Sequence, residues 1–159
     1  MLVYKDSIVG ALRMKTAPEA MIDLANEVLD RRQHIEAALA YTEGTHTFDD
    51  IYWMIVSGRL VWWPLEDSFM VTEVVEYPQA KHYNVFLAGG DLRVIKAQQD
   101  KLVEAAKLAG CSELSLSGRR GWIKALYDLG WKESHTTASF HIPAENPDGQ
   151  EGRKPDDHV

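Results

Sequence analysis

The sequence predicts an α/β domain built on a mixed, mostly antiparallel sheet with helices on both faces. Three observations predict it. A long amphipathic stretch opens the interpretable part of the chain. Three strand-like segments joined by short turns follow between residues 59 and 88. A helix–strand–helix–strand run then closes the pattern.

Residues 1–15 admit two readings. Leu2-Val3-Tyr4 reads as a strand, and Ile8-Val9 with Ala11-Leu12 either extends it or forms a helical turn. Thr16-Ala17-Pro18-Glu19 then has the form of a capping box, with a hydroxyl at the cap and a carboxylate three residues on. Pro18 fits the first turn, where its missing N–H is harmless. Met21, Leu24, Ala25, Val28, Leu29, Ile35 and Leu39 recur at helical spacing, which predicts one amphipathic helix ending near Gly44. A second, short helix is capped by Thr47, carries Asp49 and Asp50 in its first turn, and stops at Ser57-Gly58.

The three strands span residues 59–64, 69–76 and 82–88, separated by Glu66-Asp67-Ser68 and Pro78-Gln79-Ala80. Turns this short join only antiparallel neighbours. Trp62 and Trp63 are adjacent on the first strand and so point to opposite faces. Gly89-Gly90 ends the third strand, and Asp91 caps a helix over 91–109 with Leu92, Ile95, Leu102, Ala105, Ala106 and Ala109 on one face. Residues 113–117 alternate as a strand. A crossover helix between two strands requires them to be parallel, so this strand runs parallel to the third. A helix over 119–129 and a last strand over 132–142, carrying Thr136, Thr137, Phe140 and Ile142, complete the order. From Ala144 the composition turns polar, with Asn146-Pro147-Asp148-Gly149 and Lys154-Pro155-Asp156-Asp157. The expected division is one domain over 1–143 and a polar tail over 144–159.

Composition narrows the function classes. The chain has 159 residues, 45% of them hydrophobic, enough for one core. A formal charge of -7 argues against nucleic-acid binding, which needs clustered Lys and Arg. The single cysteine, Cys111, forms no intrachain disulfide and reads as a small apolar residue at a strand start. No apolar run approaches membrane-helix length, and the first 15 residues lack a signal peptide's pattern, so the expected compartment is the cytoplasm. The six histidines form no H-x-x-x-H pair, and no metal site is expected.

The element order, with Trp122-Ile123-Lys124-Ala125-Leu126-Tyr127-Asp128-Leu129-Gly130-Trp131, resembles the GNAT (Gcn5-related N-acetyltransferase) superfamily over residues 16–142. The resemblance implies a GNAT-like sheet. It implies Tyr127 as the acid that protonates a departing thiolate, since a phenol holds its proton at neutral pH. It also implies that cofactor phosphates meet the turn Gly89-Gly90-Asp91-Leu92 and Arg93. That turn departs from the family's pattern Gln/Arg-x-x-Gly-x-Gly/Ala: the leading Gln or Arg is missing and the glycines are adjacent. A capping Asp91 also consumes the N–H donors a pyrophosphate needs and adds like charge. Glu73 and Glu76 are the candidates by position to assist a base step, although a carboxylate so placed is more often just the solvent side of a strand. His82 and His135 lie near strand starts and could titrate.

Arg119 and Arg120 stand in the first turn of the last helix, where the dipole disfavours cations. With Trp122 beside them they are the candidate partner contact. The chain is also similar in outline to small GNAT-like proteins of tailed bacteriophages. That implies a non-catalytic virion or head–tail component in a symmetric assembly, located in the host cytoplasm or the virion, with no cofactor. The alternative is an acetyl-CoA-dependent N-acetyltransferase with a divergent pyrophosphate loop.

Overall fold

The computed structural model describes residues 16–145. The expectations for residues 1–15 and for the tail beyond 145 lie outside the described residues.

The chain enters through α1 (Ala17–Asp30), and the predicted box forms. Thr16 Oγ1 accepts the Glu19 N–H at 3.3 Å, and Glu19 Oε2 accepts the Thr16 N–H at 3.1 Å. The long helix expected here is broken at Arg31, and α2 (Arg32–Leu39) continues it. At the break the Arg31 N–H bonds to the Val28 carbonyl, and its guanidinium donates to the Leu65 carbonyl at 3.1 Å. α3 (Phe48–Val56) carries a second capping box, Thr47 with Asp50, and its chain reverses at Gly58.

The sheet follows as β1 (Val61–Leu65), β2 (Ser68–Tyr77), β3 (Ala80–Gly89) and β4 (Glu113–Leu116), in spatial order β1-β2-β3-β4. The first two pairings are antiparallel and the last is parallel, as the crossover argument requires. Pro64 is tolerated because β1 is an edge strand.

Between β3 and β4 the chain forms α4 (Leu92–Lys96) and α5 (Gln99–Leu108) rather than one helix. At the break Gln98 Nε2 takes the Val94 carbonyl at 3.3 Å, while the Gln98 N–H turns to Ile95. A side chain competing for a helix carbonyl interrupts the ladder in this way. The helix expected over 119–129 is also two pieces, α6 (Arg120–Ala125) and a 3-10 turn, Tyr127–Leu129, closed by left-handed Gly130.

One predicted element does not form. Residues 132–145 take no regular secondary structure and are exposed throughout. Their composition suits a strand, but a strand needs a partner, and the described sheet ends at β4.

Two cores lie on opposite faces of the sheet. α1, α2 and α3 cover the first with Val28, Ile35, Leu39, Phe48, Ile51 and Ile55 against Phe69, Val71 and Leu87. α4 and α5 cover the second with Ile95, Leu102 and Ala106 against Met70, Tyr83 and Val85. The two tryptophans divide as the alternation predicts. Trp62 stacks on Phe69 in the first core, with ring centroids 5.7 Å apart. Trp63 packs in the second, and its Nε1 donates to Thr72 Oγ1 at 2.9 Å. Thr72 in turn donates to Tyr83 Oη at 2.9 Å, which satisfies the buried hydroxyl.

Candidate functional site: a cleft where two parallel strands part

β3 pairs with β4 only from His82 to Val85, although β3 runs on to Gly89. Beyond Val85 the outer edge of β3 has no strand beside it among the described residues. A bulge sits at this point. Val71 lies opposite Leu87 but Thr72 lies opposite Val85, so Phe86 is left over in the register. The extra residue reverses the alternation: Val85 serves the second core, whereas Phe86 and Leu87 serve the first. Bulges bend a strand and re-aim its side chains.

The parting strands frame a cleft of about 760 Å³. Its floor is apolar, with Met70, Val85, Leu116 and Trp122 among the lining residues. α2 and the loop after it contribute His34, Tyr41 and His46 to the rim, and the opposite side brings Lys96, Arg119 and Trp131. The wall at Trp131 is tied down. Trp131 Nε1 donates to Gln99 Oε1 at 2.7 Å, Gln99 Nε2 donates to the Leu129 carbonyl at 2.9 Å, and Lys96 Nζ meets both Asp128 oxygens at 3.0 Å. The Arg119 guanidinium lies over the Tyr41 ring at 3.7 Å from its centroid, so the two sides of the rim touch. His46 packs edge-on against Phe86 at 5.1 Å.

The turn Gly89-Gly90-Asp91-Leu92 lies at one end of this cleft, and the amides of Asp91 and of Arg93 beside it are engaged. Asp91 Oδ1 accepts the Arg93 N–H at 2.9 Å, and the Asp91 N–H donates to Ser68 Oγ at 2.8 Å. The Arg93 guanidinium closes on Asp91 at 3.0 Å. The hydrogen bonds from Arg93, aided by its charge, hold the Asp91 carboxyl below the usual aspartate range and raise the arginine in return. The glycines have packing reasons. A Cβ on Gly89 would stand 2.8 Å from Phe69, with the His34 carbonyl and Ala38 of α2 at 3.3 Å. Gly90 has φ +108°, and a Cβ there would collide with Ser68 Oγ. This turn fits a pyrophosphate poorly: the Asp91 and Arg93 amides are engaged, the Asp91 carboxylate is ionised, and the exposed Arg93 guanidinium is paired with it.

The other sequence candidates separate. Tyr127 is half-exposed on the 3-10 turn and is not among the cleft-lining residues, whereas Leu126 and Leu129 on either side of it are. Glu73 lies away from the cleft, where its Oε1 accepts from Asn84 Nδ2 at 3.1 Å. Ser115 donates to Asn84 Oδ1 at 3.1 Å, which makes a polar ladder across three strands. Glu76 pairs with Lys81 at 3.2 Å near the hairpin tip. His82 Nε2 sits 3.4 Å from Glu113 and edge-on to Tyr77, and His135 is exposed beside Ser134. Of the proposed partner contacts, Arg119 is at the cleft rim, Arg120 is exposed at the start of α6, and Trp122 is half-buried against the second core. Sequence reasoning missed His34, Tyr41, His46 and Lys96. The helical spacing of His34, Ala37 and Ala38 on α2, with Tyr41 just beyond its end, was the available signal.

Among the described residues no group of three His, Cys, Asp or Glu could hold a metal ion, and no helix is long and apolar enough to cross a membrane.

No family model matches the chain, and no curated protein matches it. Among solved structures it is similar to a protein described as a probable acetyltransferase, with 12% identity, a TM-score of 0.51, and coverage of 82% of this chain and 96% of that one. It is similar to a transcriptional regulator from Bacillus halodurans, with 15% identity, a TM-score of 0.51, and coverage of 82% and 97%. A mutant protein of Thermus thermophilus matches with 14% identity, a TM-score of 0.50, and coverage of 74% and 94%. At such identities the likeness shows the fold alone. The fold is GNAT-like.

Proposed function

We propose that this GNAT-fold chain works as a binding protein through protein contacts and does not transfer acetyl groups. One observation carries the reading. At the turn where cofactor phosphates would need free amides, Asp91 caps α4, Ser68 takes the Asp91 N–H, and Arg93 is closed on the carboxylate. The position of Tyr127 outside the cleft supports it further. On this reading the contact face is the exposed start of α6, where Arg120 stands in a turn whose dipole disfavours a cation. A carboxylate-rich partner surface suits it. The finer form, a head–tail component of a tailed bacteriophage, rests on sequence pattern alone.

The size of the cleft favours a second reading, an acetyl-CoA-dependent N-acetyltransferase, since about 760 Å³ is room for an extended ligand. Titration with acetyl-CoA followed by thermal shift and calorimetry separates the two. A ligand at 100 times its dissociation constant stabilises by about 2.7 kcal/mol. The binding reading expects no saturable shift at millimolar cofactor. A saturable shift that Asp91→Ala strengthens would establish the second reading and sink the first.

A further inference from the structure

Among the described residues, two parts of this chain lack strand partners. β4 pairs with β3 along one side, and its other side is an open edge of the described sheet. Such an edge presents unpaired N–H and C=O groups that template another strand. Residues 132–145 are the converse: strand-forming in composition, exposed throughout, and outside the sheet. Phe140 is 87% exposed and Ile142 is 80% exposed.

The side chains of the two parts correspond. Leu114 and Leu116 are two residues apart on β4 and lie half-buried at the margin of the second core, beside Cys111 and Trp122. Phe140 and Ile142 are also two residues apart, so in an extended segment they share one face. Laid antiparallel along β4 with Phe140 opposite Leu116 and Ile142 opposite Leu114, they continue the second core by one strand. His141 then stands opposite Ser115 on the other face.

We propose that this edge is an interface between two copies of the chain, in which the segment 132–142 of each copy crosses over and lays Phe140, His141 and Ile142 along β4 of the other. Residues 132–145 leave the outer edge of β4 uncovered, so among the described residues neither part is satisfied within one copy. Reciprocal exchange satisfies both parts in both copies and closes as an isologous pair, the commonest symmetry of soluble assemblies. The departure point is firm, because Trp131 is held by Gln99 and by the Leu126 carbonyl immediately before the segment begins. The partner is a second copy, whether or not the cleft takes a ligand.

The test uses the full chain with Cys111→Ala, which removes the native thiol. One form adds Ser115→Cys and another adds His141→Cys. Directly opposite residues of an antiparallel pair bring their Cα atoms to about 4.5–5.5 Å, within disulfide reach. Co-expression of the two forms followed by oxidation is expected to give a disulfide-linked dimer on a non-reducing gel. Light scattering of the native chain is expected to give twice the 18.0 kDa of one copy. Phe140→Asp with Ile142→Asp is expected to give a monomer with an unchanged far-ultraviolet spectrum, since both residues are exposed within one copy. A native chain that scatters as a monomer overturns the proposal. So does a dimer that survives the two aspartates. A disulfide that forms only within a single chain carrying both cysteines assigns the edge to the chain's own segment and also overturns it.

Discussion

The two faces of the sheet are packed to different standards. On the first face Val28, Ile35, Ile51, Phe69 and Val71 have no exposed surface, while Leu39, Phe48, Ile55, Leu60 and Leu87 keep 2–8%. On the second Met70 and Thr72 reach that level, while Tyr83, Val85, Ile95, Leu102 and Ala106 keep 4–9%. The cause lies in what covers each face. Three helices with large apolar side chains seal the first. The second is covered by short α4 and by α5, whose inward residues include Ala105, Ala106 and Ala109. At the bulge at Phe86 the strands part and the cleft opens, with Ile95, Gln99 and Leu102 lining it on this side. The first face is therefore the more completely closed, and the second leaves part of its interior open as a cleft.

Truncation on the two faces tests this difference most directly. Phe69→Ala is expected to cost about 3–5 kcal/mol, because Phe69 is fully enclosed and stacked under Trp62. Leu102→Ala on the second face is expected to cost about 2 kcal/mol, the low end for such a change, since the open cleft lets neighbours relax. Urea midpoints at constant slope give both values. Equal costs would mean that the second face is as closed as the first.

Gly90→Ala probes the junction of the two faces and ranks next, at about 1–3 kcal/mol. The φ of +108° is strained for any Cβ, and Asp67 O and Ser68 Cα both stand 2.6 Å from where that Cβ would sit. Ser68→Ala added to it is expected to give no rescue, because those two backbone atoms remain. Recovery of the urea midpoint in the double variant would show that only the Ser68 hydroxyl was in the way.

Local chemistry made much of this fold legible in the sequence. The meander could be read because short turns and period-two alternation leave antiparallel pairing as the only solution. The parallel β3–β4 pair followed from the crossover helix. The capping box at Thr16 and the cap at Thr47 were visible, and the structure shows that Asp50 completes a second box. What escaped was set by contacts distant in sequence or by missing partners. The break at Arg31 accompanies a hydrogen bond to Leu65, 34 residues away. The bulge at Phe86 was hidden because Phe86 and Leu87 are both apolar, so no change of pattern marks the reversal of faces. Residues 132–142 have a strand's composition, yet composition says nothing of what lies beside them. At the candidate site the occupied turn was readable from Asp91, but the cleft was not, because three separate segments form its rim.

The cap of α3 offers a smaller effect. Thr47→Ala removes the acceptor for the Asp50 N–H and is expected to cost about 1 kcal/mol by urea unfolding.

The smallest expected effect compares the two capping aspartates, one serving each face, and concerns why each is acidic. Asp50 is held below its ordinary range first by the Thr47 backbone N–H and then by the Thr47 hydroxyl. Asp91 is held down first by the Arg93 side chain and then by the Arg93 backbone N–H. Both folded values lie below the unfolded value of about 3.9. Each contribution is therefore fully present above that value and is lost as pH falls through the folded one. The thermal midpoint is expected to drop with acidification below about pH 4, less steeply in Asp50→Asn or Asp91→Asn. Salt separates the causes. A guanidinium acting on an exposed carboxylate is screened when the Debye length shrinks to about 3 Å at 1 M salt, whereas a short backbone hydrogen bond is not. Carboxyl carbon titration by NMR at low and high salt is expected to move Asp91 toward its ordinary value and leave Asp50 nearly in place. Equal movement of the two would mean that Arg93 does not hold Asp91 by charge, and a turn so weakly closed would be open to a phosphate after all.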